Sequence, residues 1–279
     1  MKKVNKKHIT PSSMLVFFSL CVMTFTFLYP LFFMLINSLK TKAEYYVSKF
    51  SLPAELQFVN YQIIIQNHEF LKYFKNSFFI SVVSVVLVLG VAIFASYAFA
   101  KIRFRGKSLV YILILATMFI PGQVTMVPTY VMFSKMGLID SHLAVILNYL
   151  TGVPGAILLL TGAFTSISNE MIESIKMDGA GYFAIVQHVI IPLGMPGIAI
   201  NVIFNFIGYW NDLMTPLIYL SSYEKKTLMV MLSDLVARTG SQPTHQLAGY
   251  FLSLVPVMIV YLFCQKYLMK GLTMGAVKG

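Results

Sequence analysis

"FFISVVSVVLVLGVAIFASYAFA", residues 78–100, runs apolar from end to end without a single charge. It is long enough to cross a hydrocarbon core of about 30 Å, which takes ~20 residues as a helix. Lipid offers the backbone no hydrogen-bond partner, so a spanning segment is either a helix or a strand of a closed barrel. Barrel strands alternate polar and apolar over ~10 residues. This run does not alternate, so it predicts a transmembrane helix and decides the fold class.

Working outward, five further runs have the same character, at residues 14–36, 108–134, 143–167, 193–220 and 247–265. The expectation is an all-α polytopic membrane protein with six transmembrane helices. Composition agrees: 58% of residues are hydrophobic, 11% are charged and the mean hydropathy is +0.77, where a soluble domain carries about 25% charged residues. The first run is too long for a signal h-region and lacks a small-residue cleavage site, so it reads as a retained span. Cys21 and Cys264 both fall in apolar runs and form no CxxC, which argues against a disulfide framework or a metal site.

The formal net charge is +11, but the basic residues are spread among short segments beside the spans. "MKKVNKK" and "KIRFRGK" (Lys101 to Lys107) suit lipid headgroups and topology signals better than nucleic acid. Lys and Arg are densest in segments that lie on one side if both termini are cytoplasmic, so the expected topology is N-in, C-in. The expected organisation is a cytoplasmic tail over residues 1–13, a permease domain over 14–270 and a cytoplasmic tail over 271–279. Outer loops are expected at 38–76 and 221–246. "FIPGQVTMVPTY" (residues 119–130) puts two prolines, a glycine and Gln123 inside one span. Mid-span prolines kink helices, so this is either a bent packing helix or one that lines a pathway.

Between the fourth and fifth runs lies "NEMIESIKMDGAGYFAIVQHVIIPLGMP", residues 169–196. Ser168 or Asn169 can cap a helix that opens with Glu170 and Glu173, the sign the helix dipole favours. Gly179 suits a left-handed C′ position that ends it. Phe183, Val186 and Ile190 then recur at helical spacing up to Pro192. The segment reads as two short amphipathic helices around a tight turn on the cytoplasmic side.

Those residues resemble the EAA loop of ATP-binding-cassette importer permeases, whose pattern is Glu-Ala-Ala, three residues, Gly, nine residues, Ile-x-Leu-Pro. Here it is Glu173-Ser174-Ile175, then Gly179, then Val189-x-Ile191-Pro192, with "DGA" at Asp178 to Ala180 also matching. Ser174 and Ile175 depart from the two alanines, and Val189 and Ile191 from Ile and Leu. Asn60-Tyr61, Asn76-Ser77, "YWNDLMTPLIY" (209–219) and "GLTMGAVKG" (271–279) resemble the carbohydrate-uptake, MalG-like branch. The resemblance implies that residues 168–192 are a coupling loop docking into a cleft on a cytoplasmic ATPase. Glu173 would be its polar anchor, Ile175 and Met177 would fill the cleft, and Gly179 would permit the turn. It also implies the partners: a second homologous permease, two ATPase subunits, an extracellular or periplasmic solute-binding protein and a sugar, in a bacterial plasma membrane.

No cofactor is expected on the chain, with ATP and Mg on the partner ATPase. No G-x-x-x-x-G-K-[ST] loop exists, since "GKS" at Gly106 to Ser108 has Lys101 where the first glycine belongs. Neither HExxH nor GxSxG occurs, and His8, His68, His142, His188 and His245 are scattered; an enzyme is not expected. Asn201, Asn205 and Tyr209 share one helical face. With Phe204, Phe206, Trp210, Asn211, Asp212 and Gln123 they are candidates for a sugar path, because hydroxyls are bound by amides, carboxylates and flat aromatic rings. Interfacial aromatic packing is the equal alternative. Asp212 is either functional, as intramembrane carboxylates tend to be, or a structural cap. By resemblance, the turn-rich stretch 233–245, with Ser233, Arg238, Gly240 and Gln242, would touch the binding protein. A polyol or glycerol phosphate cargo would call for a basic cluster in the spans, and an ion-coupled transporter for several buried ionisable groups; the spans offer only Asp212.

Overall fold

The computed structural model describes residues 11–67, 69–238 and 242–276. Among the described residues the ordered elements are all helical. They are α1 (Pro11–Ser38), α2 (Lys42–Val47), α3 (Val59–Gln62), α4 (Phe70–Lys101), α5 (Lys107–Ala116), α6 (Gly122–Lys135), α7 (His142–Tyr149), α8 (Val153–Thr165), α9 (Asn169–Met177), α10 (Tyr182–Ile185), α11 (Ile191–Asn211), α12 (Met214–Tyr219), α13 (Leu228–Arg238) and α14 (Pro243–Ala276). Among the described residues five stretches are long and apolar enough to span a membrane, and the bent pair α5–α6 brings the number to six if it is counted as one broken span. The chain divides into two compact units, residues up to 69 with 235–252, and residues 70–234 with those from 253 onward.

In the first unit α1 is apolar on every side, and none of its most apolar window is buried. The chain leaving it is held by one amide: Asn60 Nδ2 donates to the carbonyls of Ser38 (2.7 Å) and Lys40 (2.9 Å). Tyr61 and Ser38 hydroxyls meet at 2.6 Å. Thr41 caps α2 by accepting from Glu44 N at 3.1 Å, as an N-cap threonine does. The Lys40 side chain is fully buried and donates to the Ser48 carbonyl at 2.8 Å. Burial pushes its ammonium pKa down, against the opposing pull of Glu44.

The second unit is built on α4, whose buried face packs chiefly on α8, then α11 and α7. That face includes Ser77, Ile80, Ser81, Ser84, Val85 and Val88 in its middle turns. Close approach of α8 and α11 depends on glycine. A Cβ added to Gly197 would sit 2.6 Å from Ala163 Cβ, and one on Gly194 2.4 Å from the Phe164 ring. Small residues at such seams let membrane helices pack tightly where lipid gives no hydrophobic drive.

Three expectations about the spans are corrected. The run 108–134 is not one helix: α5 passes through a 3₁₀ turn, Thr117–Phe119, and α6 leaves at 94°. Pro121 is the cause, because its ring pushes Ile120 out of the helical region to φ −83°, ψ 113°. The fifth span starts earlier than residue 193, since α10 continues through a π turn, Val186–Ile190, into α11. Pro192 therefore does not begin the span. It lies in the first turn of α11, and the wider turn before it accommodates a ring that lacks an N–H and would crowd the carbonyl four residues back. The same span ends at Asn211, not 220, because Asp212 is extended and α12 starts anew.

Where α7 begins, one carboxylate ties two connections together. Asp140 sits at φ 60° and accepts from the amides of Ser221 and Ser222 (2.9 Å each), the Ser222 hydroxyl and Lys225 Nζ (3.1 Å). Ser222's hydroxyl and amide hold this carboxyl well below the usual carboxylate range. Asn76, near the start of α4, donates to the carbonyls of Glu224 (2.8 Å) and Lys226 (2.9 Å).

Candidate functional site

The segment 168–192 folds as two short helical pieces around a tight turn. Ser168 caps α9 by accepting from Glu170 N at 3.2 Å, so of the two candidate caps the serine is used. Glu170 lies in the first turn and Lys176 in the last, both favoured by the helix dipole. Gly179 adopts φ +83°. Its N–H reaches the Lys176 carbonyl at 3.0 Å, and Ala180 N–H reaches that of Ile175 at 3.2 Å. These two bonds are a Schellman motif, in which a left-handed C′ residue returns orphan carbonyls of the last turn to hydrogen bonding.

The motif divides the segment into a held side and a presented side. Ile172, Ile185, Val186, Val189 and Ile190 are buried. Glu173, Ser174, Asp178 and Gly179 are exposed, Ile175 and Ala180 half-buried, and Met177 is 88% exposed. A thioether left in solvent beside exposed polar groups suits adaptable docking. Pro192, also exposed, belongs to the span side. Phe183 stacks on Phe94 of α4 with ring centroids 6.1 Å apart.

The structure does bring Asn201, Asn205 and Tyr209 onto one face, and that face meets the fourth span. Asn201 is buried and donates to Gly197 O at 3.0 Å; Asn205 donates to Asn201 O at 2.8 Å. The Tyr209 hydroxyl lies 3.0 Å from Asn205 Oδ1 and 3.1 Å from the Tyr149 carbonyl, while its ring stacks on Tyr149 at 4.2 Å. The fit requires Gly152, since a Cβ there would sit 2.9 Å from the Tyr209 hydroxyl. The stripe is thus a polar seam between α11 and the α7–α8 break, with Asn205 and Tyr209 half-buried at its edge.

Two aromatic residues set beside those amides are core. Trp210 is buried between Phe206 and Phe74 and donates to Ser253 O at 3.0 Å. Neither Trp210 nor the buried Phe206 offers a free face to a sugar. Asp212 Oδ1 accepts from the amides of Met214 (2.9 Å) and Thr215 (3.3 Å), so it caps α12. Asn211, Gln123 and Phe204 are exposed, Gln123 in the first turn of α6 just past the 94° bend.

Much of the expected outer loop 221–246 is helical. Ser233 is half-buried within α13, Arg238 is that helix's last residue, and Gln242 precedes α14, accepting from His245 N at 3.1 Å. Gly240, like His68, lies outside the described residues. Among the described residues no group of His, Cys, Asp or Glu could hold a metal ion.

Lys101, Asp140 and Lys225 were not singled out as contacts by the sequence. Their partners lie far along the chain, and nothing in the neighbouring residues announces them.

Residues 89–273 match the family described as binding-protein-dependent transport system inner membrane component. The chain is 34% identical to a putative ABC transporter permease of Caldicellulosiruptor sp. over 90% of its length and 91% of that protein's. It is 30% identical to the arabinooligosaccharides transport system permease AraQ of Bacillus subtilis, covering 92% and 93%. A solved bacterial ABC transporter that imports the acidic polysaccharide alginate superposes with a TM-score of 0.80 at 26% identity, over 94% of this chain and 99% of that one. An alginate transporter in complex with an alginate pentasaccharide-bound periplasmic protein matches at 15% identity with a TM-score of 0.63, a likeness of fold. The chain belongs to the inner membrane permease components of binding-protein-dependent ABC transport systems. Such a component is a transport subunit and not an enzyme, and it resides in the bacterial plasma membrane, in keeping with the apolar helices.

Proposed function

We propose that this chain forms half of the translocation path of an ATP-driven oligosaccharide importer, with both termini cytoplasmic. Residues 168–192 couple closure of a separate ATPase, which holds ATP and Mg, to alternating access. The observation that carries this reading is the Schellman-closed turn after α9, with Glu173 and Met177 presented and Ile172 buried behind them. A second permease completes the path and a solute-binding protein delivers the sugar on the other side. Support for an oligosaccharide comes from relatives named for arabinooligosaccharides and alginate, and from spans without the basic cluster a phosphorylated polyol would require. Asn205 and Tyr209, half-buried, and Asn211 and Gln123, exposed, are the polar groups this reading assigns to the path. Asp212 serves it indirectly, by capping α12. The stretch 233–242 is the proposed contact for the binding protein.

The test is co-purification in mild detergent of the tagged chain beside Glu173→Ala and Gly179→Pro. Recovery of an ATPase and a second permease, with the ATPase weakened in both variants, is the expected result. A chain that purifies alone, or an ATPase indifferent to both substitutions, overturns the reading.

A further inference from the structure

Lys101 ends α4, and its ammonium meets three acceptors. These are the carbonyl of Thr165 at 3.1 Å, the carbonyl of Ile167, and Asn169 Oδ1 at 3.0 Å. Thr165 is the last residue of α8, Ile167 lies in the link to α9, and Asn169 is the first residue of α9. An ammonium has three protons to give, so each one is used. The carbonyls ending α8 have no partners within their own helix, and a cation there is favoured by the helix dipole. The rest of the link is held locally, by Ser166 Oγ on Ala163 O at 2.7 Å and Ile167 N on Phe164 O at 3.2 Å. The Phe94–Phe183 stack fixes the other arm of the turn to the same α4. Both arms of the segment are therefore braced to one long helix, which itself packs chiefly on α8.

We propose that Lys101 is a positioning residue for coupling. By tying the α8–α9 link to α4, it makes displacement of α9 move α4 and α8 as one body, where an unbraced link would absorb the motion by flexing. This rests on the coupling reading above.

The experiment uses the full complex in proteoliposomes and reads sugar molecules transported per ATP hydrolysed. Lys101→Met lowers that ratio at least fivefold, Lys101→Arg restores it to within twofold of wild type, and Asn169→Ala, which removes one exposed acceptor, falls between. A merely structural role would reduce the amount of assembled complex and leave the ratio alone. A wild-type ratio in Lys101→Met overturns the proposal, and if that variant does not assemble, a wild-type ratio in Asn169→Ala does so. In parallel, Met177→Cys in a Cys21→Ala, Cys264→Ala background is labelled with a short maleimide–benzophenone and irradiated in the assembled complex, so that the ketone inserts into any C–H bond of a docked ATPase. Absence of an ATPase adduct sinks the coupling reading and this proposal with it. An adduct alongside an unchanged Lys101→Met ratio sinks this proposal alone.

Discussion

Replacing Gly179 by alanine isolates the cost of one backbone conformation. The residue sits at φ +83° with nothing within 4 Å of where a Cβ would stand, so no clash with a neighbour contributes. What remains is the intrinsic penalty of a left-handed L-residue, roughly 1–2 kcal/mol. Asparagine tolerates that region, so Gly179→Asn is expected to cost a fraction of this, while a β-branched residue costs more. The Schellman bonds from Gly179 and Ala180 hold only if φ stays positive, so the variant either bears the strain or opens the turn. Opening relieves the left-handed strain in the undocked permease, so docking has to close the turn again, and affinity falls by up to about the same amount. The expected affinity for the ATPase falls roughly 5- to 30-fold for alanine, at 1.4 kcal/mol per decade, with the order Gly, Asn, Ala, Val. Titrating purified ATPase against the permease pair in nanodiscs measures this directly. Alanine binding within twofold of glycine, or asparagine binding worse than alanine, would refute the reasoning.

Three further outcomes follow from the geometry. Gly197→Ala forces a Cβ to 2.6 Å from Ala163 Cβ and should destabilise by about 1–3 kcal/mol; Gly208→Ala on the same helix meets nothing within 4 Å and should stabilise by roughly 0.5–1 kcal/mol. Thermal unfolding in detergent should shift in opposite directions. Asp212→Asn keeps an oxygen that can cap α12 and should transport normally, whereas Asp212→Ala should cost about 0.5–2 kcal/mol of stability; loss of transport in the asparagine variant would give the charge itself a role. The Asp140 carboxyl is held below the usual range by Ser222, so its contribution is fully present above the unfolded pKa of about 4 and is lost as pH falls below it toward the folded value. The stability gap between wild type and Asp140→Ala should be flat from pH 5 to 8 and shrink toward pH 3.

Legibility in the sequence followed the range of the interaction. The spans were readable because their signal is composition over ~20 residues, and the end of α9 because Gly179 writes a local backbone rule. Pro121 announced a kink, but not that the two helices part by 94°. The π turn before Pro192 blurred a boundary that proline alone would have placed later. Asn201, Asn205 and Tyr209 share a face as their spacing says, yet spacing could not say that the face meets Gly152 and Tyr149. Hardest to read were polar side chains with distant partners. Asn76 binds carbonyls 148 and 150 residues away, and Lys101 binds groups 64 to 68 residues away. Nothing near either residue marks those pairings.

The central claim is tested most directly by uptake of labelled oligosaccharide into proteoliposomes holding this chain, its partner permease and the ATPase, with sugar-loaded binding protein outside. The account predicts accumulation only with MgATP at the ATPase face and binding protein present, and its loss in Glu173→Ala. Uptake without ATP that follows an imposed ion gradient, or uptake untouched by the Glu173 change, would contradict it.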